Sequence, residues 1–340
     1  MKSILLLGGG GFIGSNIAKS YLHRDDCEVT LVDNFSRGRE RLSILKDLNG
    51  SDRLKVIDLD LTVPSAYQKL STKYDYVYML AAMVGVDKVN SIPHEVIRVN
   101  TLITMCTLEW LKTIQCERVL FTSTSETYAG TVEAFHVDVP TNENVPLTIQ
   151  DVSHPRFTYA ITKMLGESGV IQYAKAGYFE GVIVRYHNVY GPMMGFRHVI
   201  PHLVERFMKG ESPFKIYGHD QTRAFNYITD AVSGTISAAE RGRSGEIYHI
   251  GDIDEISIET LTKFVGEHMG YGGQYQYAPT FPGSVSRRCP NIAKAISELD
   301  YKPAVNWQTG VKDTINWYTE HLQAENSNSE SFYDQYGIKQ

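Results

Sequence analysis

A tyrosine and a lysine four residues apart, Tyr159 and Lys163, have the side chains and spacing needed to move a proton. Residues at this spacing project from one face of a helix. A free tyrosine has a pKa of ~10 and is a poor base at neutral pH, but a nearby ammonium group favours its phenolate. The pair therefore predicts a tyrosine of lowered pKa that takes a proton from a substrate hydroxyl group. Thr124, at the end of a predicted strand, is expected to hydrogen-bond and orient the same hydroxyl group.

The N-terminal glycines predict a site for a dinucleotide. Gly8, Gly11 and Gly14 have GxxGxxG spacing between a predicted strand and a predicted helix. A pyrophosphate group can approach the backbone closely only where side chains are absent, and the helix N-terminus offers free N–H groups. Asp33 follows about 20 residues later, at the end of the second predicted strand, where its carboxylate can accept both ribose hydroxyls. Because this carboxylate would repel a 2′-phosphate, we predict NAD rather than NADP. The positive nicotinamide of NAD would then favour the Tyr159 phenolate, as the ammonium group does.

Two further features of this region allow alternatives. Arg37 and Arg39 lie close to Asp33 in sequence and keep NADP as an alternative cofactor. Asp60 and Leu61 follow the third predicted strand and are suitably placed to flank an adenine. Asp60 could equally be an ordinary acid in a strand-end turn.

The elements that must position these residues alternate along the first half of the chain. Short apolar runs separated by helix-length segments indicate a parallel sheet covered by helices on both faces. The predicted strands are Ile4–Leu7, Glu28–Val32, Leu54–Ile57, Tyr76–Leu80, Arg118–Ser123 and Gly181–Arg185. The predicted helices between them are Gly14–His23, Arg39–Leu48, Ala66–Thr72, His94–Gln115 and Tyr159–Ala176.

The second half is richer in aromatic residues, glycine and proline, which indicates a separate, smaller lobe. Its predicted elements are helices at Ile200–Lys209, Ile258–Met269 and Val305–His321 and a strand at Phe214–Tyr217. The fold class is therefore α/β, a Rossmann-type doubly wound parallel sheet with a smaller C-terminal α/β substrate-binding lobe. We expect residues 1–183, with a returning segment near 225–252, to form the NAD-binding domain. Residues 184–224 and 253–322 would form the second lobe, and 323–340 a polar tail.

Composition excludes several other classes of protein. The chain has 340 residues, more than one hydrophobic core usually holds. Its 33 Lys+Arg and 39 Asp+Glu give a net charge of −6, so a polybasic nucleic-acid binder is not expected. The 4 cysteines form no CxxC pair, which argues against a disulfide scaffold or a metal site and fits a reducing cytoplasm. Glycines interrupt the apolar N-terminus, so we expect neither a signal peptide nor a membrane span.

The order and spacing of these motifs resemble the extended short-chain dehydrogenase/reductases that modify nucleotide sugars, over about residues 3 to 320. Besides the glycine loop, the resemblance rests on four segments: Leu80–Ala82, Phe121–Tyr128, Tyr159–Lys163 and Arg185–Pro192. It implies that Phe12, Ile13, Asn34, Ala81 and Ala82 bind NAD together with the glycines, Asp33, Asp60, Leu61, Tyr159 and Lys163. It also implies a homodimer in which segments 94–115 and 159–176 of both copies form a four-helix interface.

The resemblance implies a reaction without net redox change. C4 of a nucleotide-linked hexose would be oxidised, the 4-keto sugar rearranged as in an epimerase or dehydratase, and hydride returned. Glu126 bears on the branch, because Thr124-Ser125-Glu126 is similar to the UDP-glucuronate decarboxylases, whereas 4,6-dehydratases typically have Asp where Ser125 stands. A carboxylate near C5 could act in loss of the C5 proton or of the C5 carboxylate. Glu126 could also cap the following turn, and a net-redox dehydrogenase or a non-catalytic NAD sensor remain alternatives.

The same resemblance supplies candidate substrate contacts, which are Val84, Ser125, Asn188, His198, Val199, Arg223 and Arg288. Asn188 would contact the sugar or diphosphate, and His198 and Val199 would lie along the nucleotide base. Arg223 would bind the diphosphate or an acidic sugar, and either Arg287 or Arg288 would bind phosphate as well, since the planar guanidinium fork suits bidentate contacts with phosphate.

Overall fold

Buried apolar runs of the first half form the strands of one large sheet, and the rest of the chain builds a smaller lobe beside its carboxyl edge. The computed structural model describes residues 1–48, 52–195, 198–280 and 285–324. The strands are β1 Lys2–Leu7, β2 Cys27–Asp33, β3 Leu54–Asp58, β4 Lys73–Met79, β5 Gln115–Thr124, β6 Glu180–Tyr186, β7 Val189–Tyr190, β8 Phe214–Tyr217, β9 Thr222–Ala224, β10 Asn226–Tyr227, β11 Ile247–Ile250, β12 Glu255–Ser257, β13 Tyr275–Ala278 and β14 Arg287–Arg288.

Most of the helices in the described residues are α-helices. They are α1 Phe12–Leu22, α2 Val86–Ser91, α3 Pro93–Leu111, α4 Ala129–Phe135, α5 Arg156–Lys175, α6 Val199–Met208, α7 Ile228–Arg241, α8 Ile258–His268, α9 Ala293–Leu299 and α10 Trp307–Ala324. Three further segments, Glu40–Leu48, Pro64–Lys69 and Ser125–Tyr128, are 3₁₀ helices. None of the helices within these described ranges is both long and apolar enough to cross a membrane.

The large sheet has seven strands in the order β11-β6-β5-β4-β1-β2-β3, and all of its neighbours run parallel. The order reverses at β1, which lies between β4 and β2, and ligands of open α/β sheets bind at such switch points beyond the carboxyl ends of the strands. The predicted fold class is confirmed. The six predicted strands are present, and the seventh, β11, lies inside the segment that we expected to return to this domain.

Helices cover both faces of this sheet. In β1, Ile4 and Leu6 pack into a core with α1 and α7, while Leu5 and Leu7 point into a second core with α3 and α5. All four side chains are buried. Successive strand residues point to opposite faces, so a continuous apolar run is what a sheet buried on both sides requires.

The smaller lobe has a core of its own, built from α6, α8, α10 and β8. Within it the rings of Phe207 and Phe214 stack with centroids 3.8 Å apart. The predicted boundary at residue 253 assigns α9 to this lobe, yet Leu299 and Tyr301 pack into the core of the large sheet. This part of the chain therefore returns to the first lobe a second time.

Two predicted α-helices differ in the structure. The segments predicted at Arg39–Leu48 and Ala66–Thr72 are the 3₁₀ helices Glu40–Leu48 and Pro64–Lys69. The first lies between the neighbouring strands β2 and β3, whereas the second lies between β3 and β4, which β2 and β1 separate in the sheet. Short connecting segments often adopt the tighter 3₁₀ turn. Of the predicted polar tail 323–340, the first two residues belong to α10, and residues 325–340 lie outside the described residues.

Candidate active site

The predicted site residues meet at a cavity of about 990 Å³ beyond the carboxyl ends of the strands, between the two lobes. Of the predicted residues, those on its wall are Gly8, Gly11, Phe12, Ile13, Gly14, Asp33, Asn34, Asp60, Leu61, Ala81, Ala82, Val84, Thr124, Ser125, Glu126, Tyr159, Lys163, Asn188, His198, Arg223 and Arg288. Val199 is not among the wall residues; it begins α6 and packs against the core of the smaller lobe.

The three glycines of the loop are needed for different reasons: Gly8 and Gly14 by the fold, and Gly11 to leave space for a ligand. Gly8 has φ of +89°, and a Cβ there would collide with the backbone of Ala81. A Cβ at Gly14 would lie 2.7 Å from Cα of Gly9. At Gly11 the nearest atom is the Gly8 carbonyl oxygen at 3.4 Å, so the fold itself tolerates a Cβ. The open space at Gly11, at the start of α1, fits the close approach of a pyrophosphate.

Asp33 is held with its carboxylate facing the same loop. Its Oδ2 accepts a hydrogen bond from the N–H of Gly10 at 3.0 Å and its Oδ1 one from Phe35 at 2.9 Å. Burial raises the pKa of Asp33, while these two N–H groups act against that shift. Each carboxylate oxygen can accept a further hydrogen bond. The residue fits the two hydroxyls of an adenosine ribose.

Arg37 and Arg39, which left NADP as an alternative cofactor, both have partners within the protein. Arg39 forms an ion pair with Asp58 at 2.6 Å and lies over the ring of Phe35. The guanidinium of Arg37 donates to the carbonyl oxygen of Val84 at 2.6 Å. These contacts connect the segment that follows β2 with the end of β3 and with the segment after β4.

Asp60 has the turn geometry expected for one of its two predicted roles. Its Oδ1 accepts hydrogen bonds from the N–H and hydroxyl of Thr62 at 2.9 and 2.8 Å, which is the geometry of a turn. The same residue also lies on the wall of the cavity with Leu61.

Tyr159 and Lys163 lie on α5 and face the cavity as predicted. The Lys163 ammonium donates to the Thr122 carbonyl oxygen at 2.6 Å and lies 5.8 Å from the centre of the Tyr159 ring. Burial lowers the pKa of Lys163 to about 8. Burial and the Glu126 carboxylate raise the pKa of Tyr159, and Arg37 acts in the other direction. The predicted lowering of this pKa relied on the charge of the nicotinamide as well as on Lys163, and it stays a prediction for the NAD-bound enzyme.

Glu126 belongs to a cluster of charged groups on the cavity wall, which it forms with Arg156, Arg223 and Arg288. Thr124 caps the following 3₁₀ helix, with its Oγ1 accepting from the N–H of Glu126 at 3.3 Å. The Glu126 carboxylate instead accepts from Arg288 at 2.5 Å, and Arg156 lies 3.8 Å away. Burial alone would raise the pKa of Glu126, but the guanidinium groups of Arg288 and Arg156 outweigh it and lower that pKa. The capping role that we allowed for Glu126 is filled by Thr124.

Strand pairing in the smaller lobe brings two of the predicted arginines together. Arg223 on β9 is in register with Arg288 on β14. Arg223 is further held by donating to the carbonyl oxygens of Thr222 and Val285, each at 2.7 Å. Arg287 forms an ion pair with Glu255 at 2.6 Å on the surface, so Arg288 is the one that faces the cavity.

Asn188 lies just beyond the end of β6, on the wall of the cavity. Its backbone is left-handed, with φ of +40°, and its amide donates to the Ala224 carbonyl oxygen at 2.8 Å. This bond fixes the side chain at the boundary of the two lobes.

The cavity wall also contains residues that sequence reasoning missed. They include Lys88, Arg98, Ser123, His154, Arg156 and Tyr186. For Arg156 a signal was available, because it precedes Tyr159 by three residues and so shares its helix face. No group of three or more His, Cys, Asp or Glu residues in the described parts of the chain could hold a metal ion.

Fold and cavity together define an α/β enzyme that binds a dinucleotide at a topological switch point. The model of the NAD dependent epimerase/dehydratase family matches residues 4–251, and the chain belongs to this family. It is an NAD-dependent enzyme, and the predicted family and cofactor are confirmed. The roles given to individual residues remain predictions.

Three similar proteins illustrate the range of the family. The chain is 32% identical over 333 residues to the UDP-N-acetyl-alpha-D-glucosaminuronate decarboxylase of Bacillus cytotoxicus, covering 94% of this chain and 98% of that protein. It is 29% identical over 330 residues to UDP-glucuronic acid decarboxylase 1 of Xenopus tropicalis, covering 96% and 74% respectively. The solved structure of UDP-glucuronic acid 4-epimerase from Bacillus cereus with UDP-glucuronic acid and NAD has a TM-score of 0.81, at 25% identity and 94% and 99% coverage.

Proposed function

We propose that this enzyme decarboxylates a nucleotide-linked hexuronate through a 4-keto sugar, with no net redox change. Decarboxylation was the alternative that the sequence left beside epimerisation and dehydration. The observation that carries it is the charge at the sugar end, where the guanidinium groups of Arg156, Arg223 and Arg288 surround the carboxylate of Glu126. A diphosphate and a sugar carboxylate would together neutralise this excess of positive charge.

The residues present fit NAD and a nucleotide sugar end to end. The glycine loop would hold the pyrophosphate of NAD, and Asp33 would hold its adenosine ribose. Lys163 would bind the cofactor near its nicotinamide end. When bound, NAD accepts hydride from C4, returns it later, and brings a positive charge that favours the Tyr159 phenolate. That charge acts against the burial and the Glu126 carboxylate that raise the Tyr159 pKa.

Tyr159 and Thr124 carry out the proton chemistry at C4 in this proposal. Thr124 hydrogen-bonds the C4 hydroxyl group and orients it, and Tyr159 takes its proton as C4 is oxidised to the ketone. The proton stays on the Tyr159 hydroxyl group, which then donates a hydrogen bond to the ketone oxygen. It goes back to the same oxygen when C4 is reduced at the end of the cycle.

Loss of carbon dioxide follows from the chemistry of a β-keto acid. The bond between C5 and the carboxylate carbon breaks, and its electron pair moves toward the C4 oxygen, where the Tyr159 hydroxyl group stabilises the developing charge. Carbon dioxide leaves, and C5 takes up one proton in its place. Because its pKa is lowered, Glu126 is ionised and would relay this proton from water rather than supply its own.

A second candidate is 4-epimerisation of the same class of substrate, favoured by the similarity to the UDP-glucuronic acid 4-epimerase of Bacillus cereus. Epimerisation would use the same contacts with the carboxylate, and hydride would return to the opposite face of C4 with the C5 substituent retained.

Product mass separates these reactions. The purified enzyme with NAD would be incubated with UDP-glucuronate, UDP-N-acetylglucosaminuronate and neutral UDP-glucose, and the products weighed by mass spectrometry. Decarboxylation gives a product lighter by one carbon dioxide, and only from the uronates. Unchanged mass with altered chromatographic retention would indicate epimerisation, and a product lighter by one water would indicate dehydration. Accumulation of NADH would indicate a net-redox dehydrogenase. Absence of carbon dioxide release from every nucleotide hexuronate supplied would overturn the proposal.

A further inference from the structure

Arg156 supplies a guanidinium group to the cavity from the same helix as the reacting tyrosine. It is the first residue of α5 and precedes Tyr159 by three positions, so the two side chains share one helix face. Its side chain is 20% exposed, and its Nη2 lies 3.8 Å from Oε2 of Glu126. No role was assigned to it from the sequence.

The other two arginines of the cluster belong to the opposite lobe. Arg223 and Arg288 lie on the paired strands β9 and β14, and Arg288 is bonded to Glu126 at 2.5 Å. In a nucleotide sugar the diphosphate is attached to C1, while C4 lies opposite C1 in the ring and C5 is next to C4. If C4 lies at Tyr159 and the diphosphate at the paired arginines of the smaller lobe, the substituent on C5 lies on the Tyr159 side of the sugar, where Arg156 shares a helix face with Tyr159.

The wall beside Arg156 suits the carboxylate of a substrate. Hydrogen bonds between a guanidinium group and a carboxylate are about 2.7–2.9 Å long, so the 3.8 Å between Arg156 and Glu126 is an ion pair without a hydrogen bond between these two groups. A substrate carboxylate that enters the cavity here would be attracted by the Arg156 guanidinium, whose planar fork matches a carboxylate.

We infer that Arg156 binds the carboxylate on C5 of the substrate and thereby selects nucleotide hexuronates over neutral nucleotide hexoses. This inference rests on the proposed function for its class of substrate. Arg156 acts in binding and specificity, and Tyr159, Thr124 and Glu126 carry the chemistry.

Calorimetric titration tests the inference without turnover of the full cycle. Wild type, Arg156→Gln and Arg156→Lys, each loaded with NAD, would be titrated with UDP, UDP-glucose and UDP-glucuronate, turnover of the last being limited by short injections at low temperature. We expect Arg156→Gln to bind UDP-glucuronate about 10- to 100-fold more weakly, the range for a hydrogen bond to a charged group, with UDP and UDP-glucose unchanged. Arg156→Lys should be intermediate, since lysine keeps the charge without the planar fork.

The control is Arg243→Gln, which removes an exposed arginine paired with Glu298 at 2.6 Å outside the cavity wall. It should bind all three ligands like the wild type, and matched melting temperatures would establish that the variants are folded. Equal weakening of UDP and UDP-glucuronate would make Arg156 a diphosphate ligand and overturn the inference. So would unchanged binding in Arg156→Gln, or a wild type without preference for UDP-glucuronate over UDP-glucose.

The two proposals can fail separately. If UDP-glucuronate is epimerised rather than decarboxylated, the proposed function fails while the binding ratio still supports Arg156. If carbon dioxide is released at an unchanged ratio in Arg156→Gln, the role of Arg156 fails and the proposed function stands.

Discussion

The hydroxyl group of Tyr128 and Nε2 of His187 are hydrogen-bonded at 3.0 Å inside the protein. Tyr128 ends the 3₁₀ helix that contains Glu126, and His187 directly precedes Asn188. The ring of His249, on β11, lies 4.7 Å from that of His187, centroid to centroid. This buried contact therefore holds the turn with Glu126 against the end of β6, below the sugar end of the cavity.

We expect these two histidines to make the protein sensitive to acid. Burial, aided by the guanidinium groups of Arg185 and Arg288, lowers the pKa of His187, and burial lowers that of His249 to about 3 from the usual 6.5. Below pH 6.5 the unfolded chain takes up protons that the folded protein does not. Their stabilising contribution is thus fully present above pH 6.5 and is lost as the pH falls. For His249, with its pKa of about 3, the loss between pH 7 and pH 5 is about 2 kcal/mol.

Urea unfolding of the wild type, His187→Asn and His249→Asn at pH 7 and pH 5 measures this effect. His249→Asn should lose about 2 kcal/mol less than the wild type over this interval, and His187→Asn should also lose less than the wild type. The exposed His23 provides the control, since His23→Asn should keep the wild-type dependence. Equal losses in all four proteins would show that the buried pair does not set the acid sensitivity.

Tyr159→Phe should abolish most of the activity while leaving the substrate bound. Removing the hydroxyl group removes the proton acceptor, and positioned acid–base groups contribute roughly 10²- to 10⁴-fold to rates. We expect kcat to fall by that factor with KM nearly unchanged. Tyr173→Phe is the matched control, because Tyr173 lies on the same helix and its hydroxyl group bonds Glu109 on the surface. Full turnover by Tyr159→Phe would refute the assignment of Tyr159 as the base.

The cofactor end could be predicted because its determinants are local in sequence. Gly8, Gly11 and Gly14 lie within one strand–loop–helix unit, and Asp33 ends the next strand. Each of them could be interpreted from the types of its immediate neighbours. In this part of the chain, periodicity predicted the strands and the helix, and the glycine spacing predicted where the cofactor binds.

The sugar end could be predicted only in part, because its contacts join distant segments. Arg288 and Glu126 are separated by 162 residues, and only the pairing of β14 with β9 aims Arg288 at the cavity. The Tyr159 pKa depends on how deeply the hydroxyl group is buried and on the approach of Glu126, neither of which follows from the Tyr-x-x-x-Lys spacing. Strand β11 has four residues and was missed for a similar reason, since its pairing with β6 rather than its local pattern makes it a strand.

The homodimer expected from the sequence remains a proposal, now supported by exposed apolar side chains on the two helices concerned. Ile97 and Met105 on α3 are 42% and 37% exposed, and Leu165 on α5 is 39% exposed. Burial of such side chains against a second copy would stabilise a four-helix interface. Light scattering should give twice the chain mass for the wild type and a single chain mass for Met105→Asp/Leu165→Asp.

Ile296→Asp is the control for that experiment. Ile296 lies on α9 and is 43% exposed, so it matches the other sites in chemistry and exposure but lies outside the proposed interface. It should keep the mass of the wild type. A wild type that is monomeric at all concentrations would rule out the dimer.

Alanine substitutions in the glycine loop should separate folding from cofactor binding. At Gly11 a Cβ has only the Gly8 carbonyl oxygen near it, at 3.4 Å, so Gly11→Ala should melt within a few degrees of the wild type. The same methyl group would occupy the space of the pyrophosphate, and we expect NAD to bind at least 10-fold more weakly.

Gly8→Ala is the contrasting variant, because its φ of +89° and the adjacent Ala81 backbone make any side chain costly to the fold itself. It should lower the melting temperature even without NAD. Thermal melts with and without NAD, together with titration of NAD, measure both quantities, and wild-type affinity in Gly11→Ala would mean that the pyrophosphate does not lie against this residue.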